Sequence, residues 1–374
     1  MKQLLLIFSV LIATSAMAQK ISFSNQIVNS KDENIVAIRD EWKLYLVDCV
    51  KAYIKKDTQS LNKYWNNVDI ETKNSLIAIF QISDKIPLCF YGEMVTYDIT
   101  KLDNDFYRIK TLALLADTIS KGVAANFTLF AKVKNKEVEF CSYFQKIQPT
   151  LKTFSTKYIE YFYPADFGFN NNEAMIADEF YNKLISDFKV EKKEKVTYIV
   201  AKDLDSANNL IGFEYSIRSS TSKDAGYYIQ RSNMMFSSQI AHKHELVHAV
   251  LESKYPNAPR LFHEGIATYL GGTNGQEYEY HAKQLEEIAK SQNDIDFSKF
   301  DEWDKNIDDK TNPFYTIGAI IIDYAYKTGG QEKVEALFTS QNEVSVTIEN
   351  ELGIEKGEIN TFIKSYLSKL SIKN

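Results

Sequence analysis

The sequence of 374 residues contains five histidines, all lying between His242 and His281. Within that window stands His244-Glu245-Leu246-Val247-His248. On a helix, positions i and i+4 share a face one turn apart, so both imidazoles can reach a single ion. Glu245 then sits beside the ion without binding it. A zinc ion lowers the pKa of a bound water toward neutrality, and a carboxylate in that place can take its proton as the water attacks a carbonyl. Ile240, Val247 and Leu251 read as part of the histidine face, which turns that face toward the interior. The alternative is a surface helix with two incidental histidines; a random chain of this composition carries the motif in roughly half a percent of cases.

A tetrahedral zinc site needs a third protein ligand and an open position. A turn with two prolines, Tyr255-Pro256-Asn257-Ala258-Pro259, follows the first helix. Leu261 to Leu270 then reads as a second helix, stopped by Gly271-Gly272. Two antiparallel helices on a short turn can return Glu264 to the two histidines. His263 is the competing ligand, and adjacent helical residues point about 100° apart, so only one of the pair faces the ion. In these residues the chain resembles the gluzincins, zinc peptidases that combine H-E-x-x-H with a glutamate in a downstream E-G-x-A-x-Y-like helix, here Glu264-Gly265-Ile266-Ala267-Thr268-Tyr269.

The resemblance covers roughly residues 155–370, including the strand before the metal helix and the tail with Glu351-Leu352-Gly353. It implies one Zn2+ ion held by His244, His248 and Glu264, with Glu245 as general base in the hydrolysis of a peptide or protein substrate. It further implies that Tyr315 donates a hydrogen bond to the developing oxyanion, because related enzymes carry a tyrosine at that point downstream of the third ligand. His281 is the reserve donor, and its bland reading is a partly exposed residue of a helix over 278–290. His242 is expected to face away from the metal. His263 is a candidate for orienting a ligand from behind. A strand over 226–231 reads either as an edge along which a peptide adds or as a plain structural strand.

The elements that must position these groups fall in two blocks. Residues 19–150 read as a small α+β domain. Trp42, Tyr45, Leu46, Cys49 and Tyr53 recur at helical steps. Strands are expected over 106–115, 124–133 and 137–144, the last two forming a hairpin around Lys134-Asn135-Lys136. No chemical motif marks this block. A polar stretch over 148–155 is the expected boundary. Residues 155–374 then read as the catalytic domain: a mixed sheet, the metal-binding helix pair and a helical C-terminal part. Strands are expected over 157–163 and 195–201, a helix over 172–188, and the metal helix from Ser237 or Ser238. Asn312-Pro313 opens a further helix that Gly329-Gly330 closes. The fold class is therefore α+β throughout, with a small helix-plus-antiparallel-sheet domain ahead of a gluzincin-like one.

Residues 1–18 have the pattern of a signal peptide, with Lys2, an apolar run from Leu4 to Ile12 and small residues at Ser15-Ala16-Met17-Ala18. Export to the periplasm or beyond the cell is the expectation, with no integral membrane segment after signal removal. Removing Lys2 moves the formal net charge from -6 to about -7, which argues against nucleic acid as a partner. Cys49, Cys89 and Cys141 allow at most one disulfide and too few thiolates for a cysteine-held zinc site. Two rivals to an active peptidase remain: a non-catalytic binding protein on a zinc-containing peptidase scaffold, and an N-terminal domain that serves as propeptide or inhibitor of the rest.

Overall fold

The computed structural model of the protein describes residues 20–76, 80, 87–90, 92–115, 122–191, 194–292 and 294–371. The signal-like segment over 1–18 lies outside them. The fold is mixed, with helices and two sheets among the described residues. The chain divides into two compact units: the first comprises the residues up to Lys152 together with Asp203–Thr221, and the second comprises Thr153–Lys202 and Ser222–Asn374. The sequence reading kept 203–221 in the second block. These residues join the first because their strand, Phe213–Ser216, hydrogen-bonds to Ala125, Asn126 and Phe127 of the first sheet.

In the first unit β1 (Ile21–Phe23) precedes helix α1 (Glu33–Lys55), which Asp32 caps by accepting from the amides of Asn34 and Ile35. Strands β2 (Gly92–Asp103), β3 (Phe106–Leu115), β4 (Val123–Lys134) and β5 (Glu137–Cys141) form an antiparallel meander, and β1 adds parallel to β2. Trp42 and Tyr45 of α1 stack at 5.1 Å against each other and pack edge-on to Phe140, while Trp42 donates to Thr96 at 3.0 Å. The expected strand over 137–144 is cut short at Cys141. Ser142 there accepts from the Gln145 amide and starts a short helix, Tyr143–Ile147. The long strand β2 escaped the sequence reading because a bulge between Thr96 and Asp98 interrupts its alternation.

The second unit carries a five-stranded sheet built from β6 (Lys152–Ser155), β7 (Ile159–Tyr163), β8 (Val196–Val200), β9 (Gly226–Ile229) and β10 (Met234–Ser237), in the order β9-β10-β8-β7-β6. Between β7 and β8 runs helix α2 (Asn171–Asp187), which buries Ala174, Ala177, Tyr181 and Leu184. β7, β8 and β10 are parallel neighbours, and β9 returns antiparallel to β10 at the edge. β10 is wholly buried, so it lacks the polar alternation that would mark it, and its residues read instead as the approach to a helix. The metal helix therefore starts later than expected. It is α3 (Lys243–Lys254), and Ile240 lies before it, buried all the same.

After α3 come α4 (Arg260–Gly271), α5 (Tyr278–Ser291), α6 (Pro313–Thr339), α7 (Val344–Leu352) and α8 (Ile359–Ser371). Gly330 does break α6, at φ 64°, but the chain resumes helical geometry directly beyond it. Two close backbone approaches set the helices around the motif. A β-carbon at Gly265 of α4 would lie 2.7 Å from Gly318 Cα of α6, and one at Gly318 would lie 2.8 Å from Gly265 Cα. At the end of α4, a β-carbon on Gly271 would stand 2.6 Å from the His244 nitrogen. Main chain meets main chain at both places, so no side chain can be interposed. We expect Gly318→Ala to force α4 and α6 apart, to destabilise the protein by roughly 1–3 kcal/mol in denaturant titration, and to weaken metal retention along with it. Unchanged midpoint and metal affinity would show that the crossing is slack.

Candidate metal centre

His244 and His248 follow one another by one turn on α3, and both are buried. Glu264, in the second turn of α4, projects back to them. The Nε2 atoms of the two histidines are 3.2 Å apart, and Glu264 Oε2 lies 3.3 Å from the first and 3.5 Å from the second. Four ligands at tetrahedral positions about 2.0–2.1 Å from an ion stand about 3.3–3.4 Å from one another, so the three atoms form one face of such a tetrahedron. The three side chains could hold a metal ion, and among the described residues no other group of His, Cys, Asp or Glu does so.

The remaining nitrogen of each ring is also placed. His244 Nδ1 is 2.8 Å from the Gly272 carbonyl oxygen, which selects the tautomer that leaves Nε2 a lone pair. His248 Nδ1 is 3.2 Å from Glu252 Oε1, one further turn along α3. Burial by itself would raise the Glu264 pKa, but the charge and hydrogen bonds of the two imidazoles outweigh it and hold the carboxyl well below its ordinary value. His248 is the reciprocal case: burial lowers its pKa, and the Glu264 charge carries it well above. The Glu264 carboxylate thus stays ionised although it is largely withdrawn from solvent.

Glu245 is buried beside the cluster, and its amide donates to His242 Nδ1 at 3.4 Å. His242 is thus the cap of α3. Its Nε2 reaches the Asp224 carbonyl oxygen, at 3.2 Å. Tyr315 opens α6, with its ring stacked on His244 at 5.9 Å and 20°. The nearby Glu264 charge, followed by burial, raises the Tyr315 pKa, which keeps the phenol protonated. Arg260, in the first turn of α4, spans the group: its Nε is 3.6 Å from Glu264 Oε1, its guanidinium lies over the Tyr315 ring at 5.8 Å, and it pairs with Asp304.

The other two histidines are not part of the grouped set. His263 is directed elsewhere from α4, with Nε2 2.9 Å from the Tyr255 carbonyl oxygen and Phe338 edge-on to its ring, while its ring centroid stands 6.4 Å from that of His248. His281 is fully buried, not partly exposed as its helical position suggested, and its ring nitrogens are engaged by Thr311 Oγ1 at 3.1 Å and the Thr273 carbonyl at 3.0 Å. Sequence reasoning missed Glu252, although it follows His248 by the same four residues that separate the histidines. It also missed Arg260, one turn ahead of Glu264, and the Gly272 carbonyl, which no residue type announces.

Comparison of the sequence with known protein families and with curated proteins finds no match in either. No helix among the described residues is long and apolar enough to cross a membrane. Glu252→Gln keeps size and removes the charge behind His248. We expect it to weaken zinc binding by roughly 10- to 100-fold in competition with a chromophoric chelator. An unaltered affinity would mean that Glu252 plays no part in holding the ring.

Proposed function

We propose that the protein is a zinc-dependent peptidase of gluzincin type, exported by its N-terminal segment, in which Glu245 is the general base. The observation that carries the reading is the triangle of His244, His248 and Glu264, with a carboxylate in the next position of the same helix. Two imidazoles and one carboxylate are the donor set and the spacing that suit zinc, with a fourth position open. Held there, an ion would supply Lewis acidity toward a carbonyl oxygen and would lower the pKa of a water so that it gives up a proton as it attacks.

The chain's own residues do the rest. Glu245 accepts the proton of the attacking water and delivers it to the nitrogen of the departing amine, so one carboxylate serves as base and then as acid. His242 fixes the start of the helix turn on which Glu245 rides, because it accepts from the Glu245 amide. Tyr315 keeps its proton and donates it as a hydrogen bond to the carbonyl oxygen as negative charge grows. Arg260 steadies both ends of that arrangement, lying against Glu264 and the Tyr315 ring while Asp304 holds it. The edge position of β9 suits an extended peptide better than a compact substrate.

The reading predicts that Glu245→Gln retains one zinc per chain by metal analysis and loses peptide hydrolysis. Activity at the level of the unaltered protein would defeat the assignment, and zinc binding without hydrolysis by either protein would favour a binding role on the same scaffold. Tyr315→Phe is expected to lower kcat by roughly 100- to 1000-fold with little change in zinc content. A change confined to KM would remove Tyr315 from the chemistry.

A further inference from the structure

A cavity of about 320 Å³ in the second unit opens against His244 and His242. Its walls are the residues before α3 and the turn Gly271–Glu277 that follows α4. We infer that this cavity receives a lysine or arginine side chain of the substrate, through the carboxylate of Asp224. The inference rests on the peptidase reading and names its substrate class.

The wall is polar and its charge is unbalanced. Asp224 Oδ1 accepts from the Gln239 amide nitrogen at 2.9 Å, and no side-chain cation pairs with the carboxylate among the described residues. The turn carries Gly275 against this group: a β-carbon there would stand 2.8 Å from both carboxylate oxygens, so the absence of a side chain keeps the carboxylate in place. Glu277 adds a second acid to the lining. The one cation of the wall, Lys243, is drawn off toward the Phe180 ring, 5.8 Å from its ammonium.

An apolar side chain entering here would strip water from Asp224 and return nothing, and an acidic one would be repelled. A long side chain with a terminal cation replaces that water with a charge-assisted hydrogen bond and lays its methylenes along the turn. His244 lines the same cavity, which puts a side chain seated in it beside a member of the candidate metal centre.

The test uses the full chain with zinc and two hexapeptide series that differ at one position, lysine against norleucine. Turnover is followed in the unaltered protein and in Asp224→Asn, which preserves shape and the acceptor for Gln239. Equilibrium binding of the same peptides is measured by calorimetry on Glu245→Gln with and without Asp224→Asn. The expected result is tighter binding and faster cleavage of the lysine peptides, with that advantage reduced roughly 10- to 100-fold by Asp224→Asn and the norleucine peptides unaffected. Equal treatment of the two series by the unaltered protein, or an equal loss for both in Asp224→Asn, overturns the inference while leaving hydrolysis intact. Preferential binding of lysine peptides that are never cut supports the cavity assignment and defeats the peptidase reading instead.

Discussion

Everything at the candidate metal centre depends on the contact of Gly265 with Gly318, where α4 and α6 meet backbone to backbone. Glu264 precedes the first of these glycines by one residue, and Tyr315 precedes the second by three. The crossing therefore sets, in a single contact, how far the ligand carboxylate and the phenol stand from α3. A side chain at either position would be felt as a displacement of both groups, since close-packed helices transmit a shift instead of absorbing it. Gly271 does the same between α4 and the start of α3. Three helices are thus brought to one point by the absence of atoms.

The close packing has an electrostatic consequence. A carboxylate buried with two imidazoles is costly to desolvate, and without those partners Glu264 would take up a proton. Its ionisation is maintained by His244 and His248; the Gly272 carbonyl meets the other ring nitrogen of the first, and Glu252 stands 3.2 Å from that of the second. Each imidazole has behind it a group outside the candidate ligand set. The arrangement presents the three donor atoms as a preset triangle before any ion arrives.

How much of this the sequence disclosed follows from the range of the interactions involved. The two histidines and Glu245 were legible because they belong to one helix, whose period converts spacing into direction. Of Glu264 and His263, the sequence alone offered both, and the resemblance chose the former; the fold groups Glu264 with the two histidines and gives the His263 Nε2 to the Tyr255 carbonyl, with Phe338 against its ring. What stayed hidden was non-local. The start of α3 was misplaced because β10 is buried on both faces, and an apolar strand without alternation looks like the edge of a helix. The capping of α3 by a histidine side chain is a rare choice that no preference announces. β2 was lost to a bulge, and residues 203–221 joined the first sheet through a pairing partner some ninety positions earlier in the chain. Main-chain groups such as the Gly272 carbonyl carry no signature at all.

The turn after α4 connects the candidate metal ligands to what lies beside them. In seven residues, Gly271 abuts the His244 backbone, the Gly272 carbonyl fixes the His244 ring, the Thr273 carbonyl meets His281, and Gly275 presses on the Asp224 carboxylate. The turn closes on itself through paired hydrogen bonds between Thr273 and Gln276, and Asn274 ties it to the Lys310 carbonyl at 2.6 Å. A segment held at both ends and across its middle cannot adjust the cavity wall without also moving the acceptor of His244.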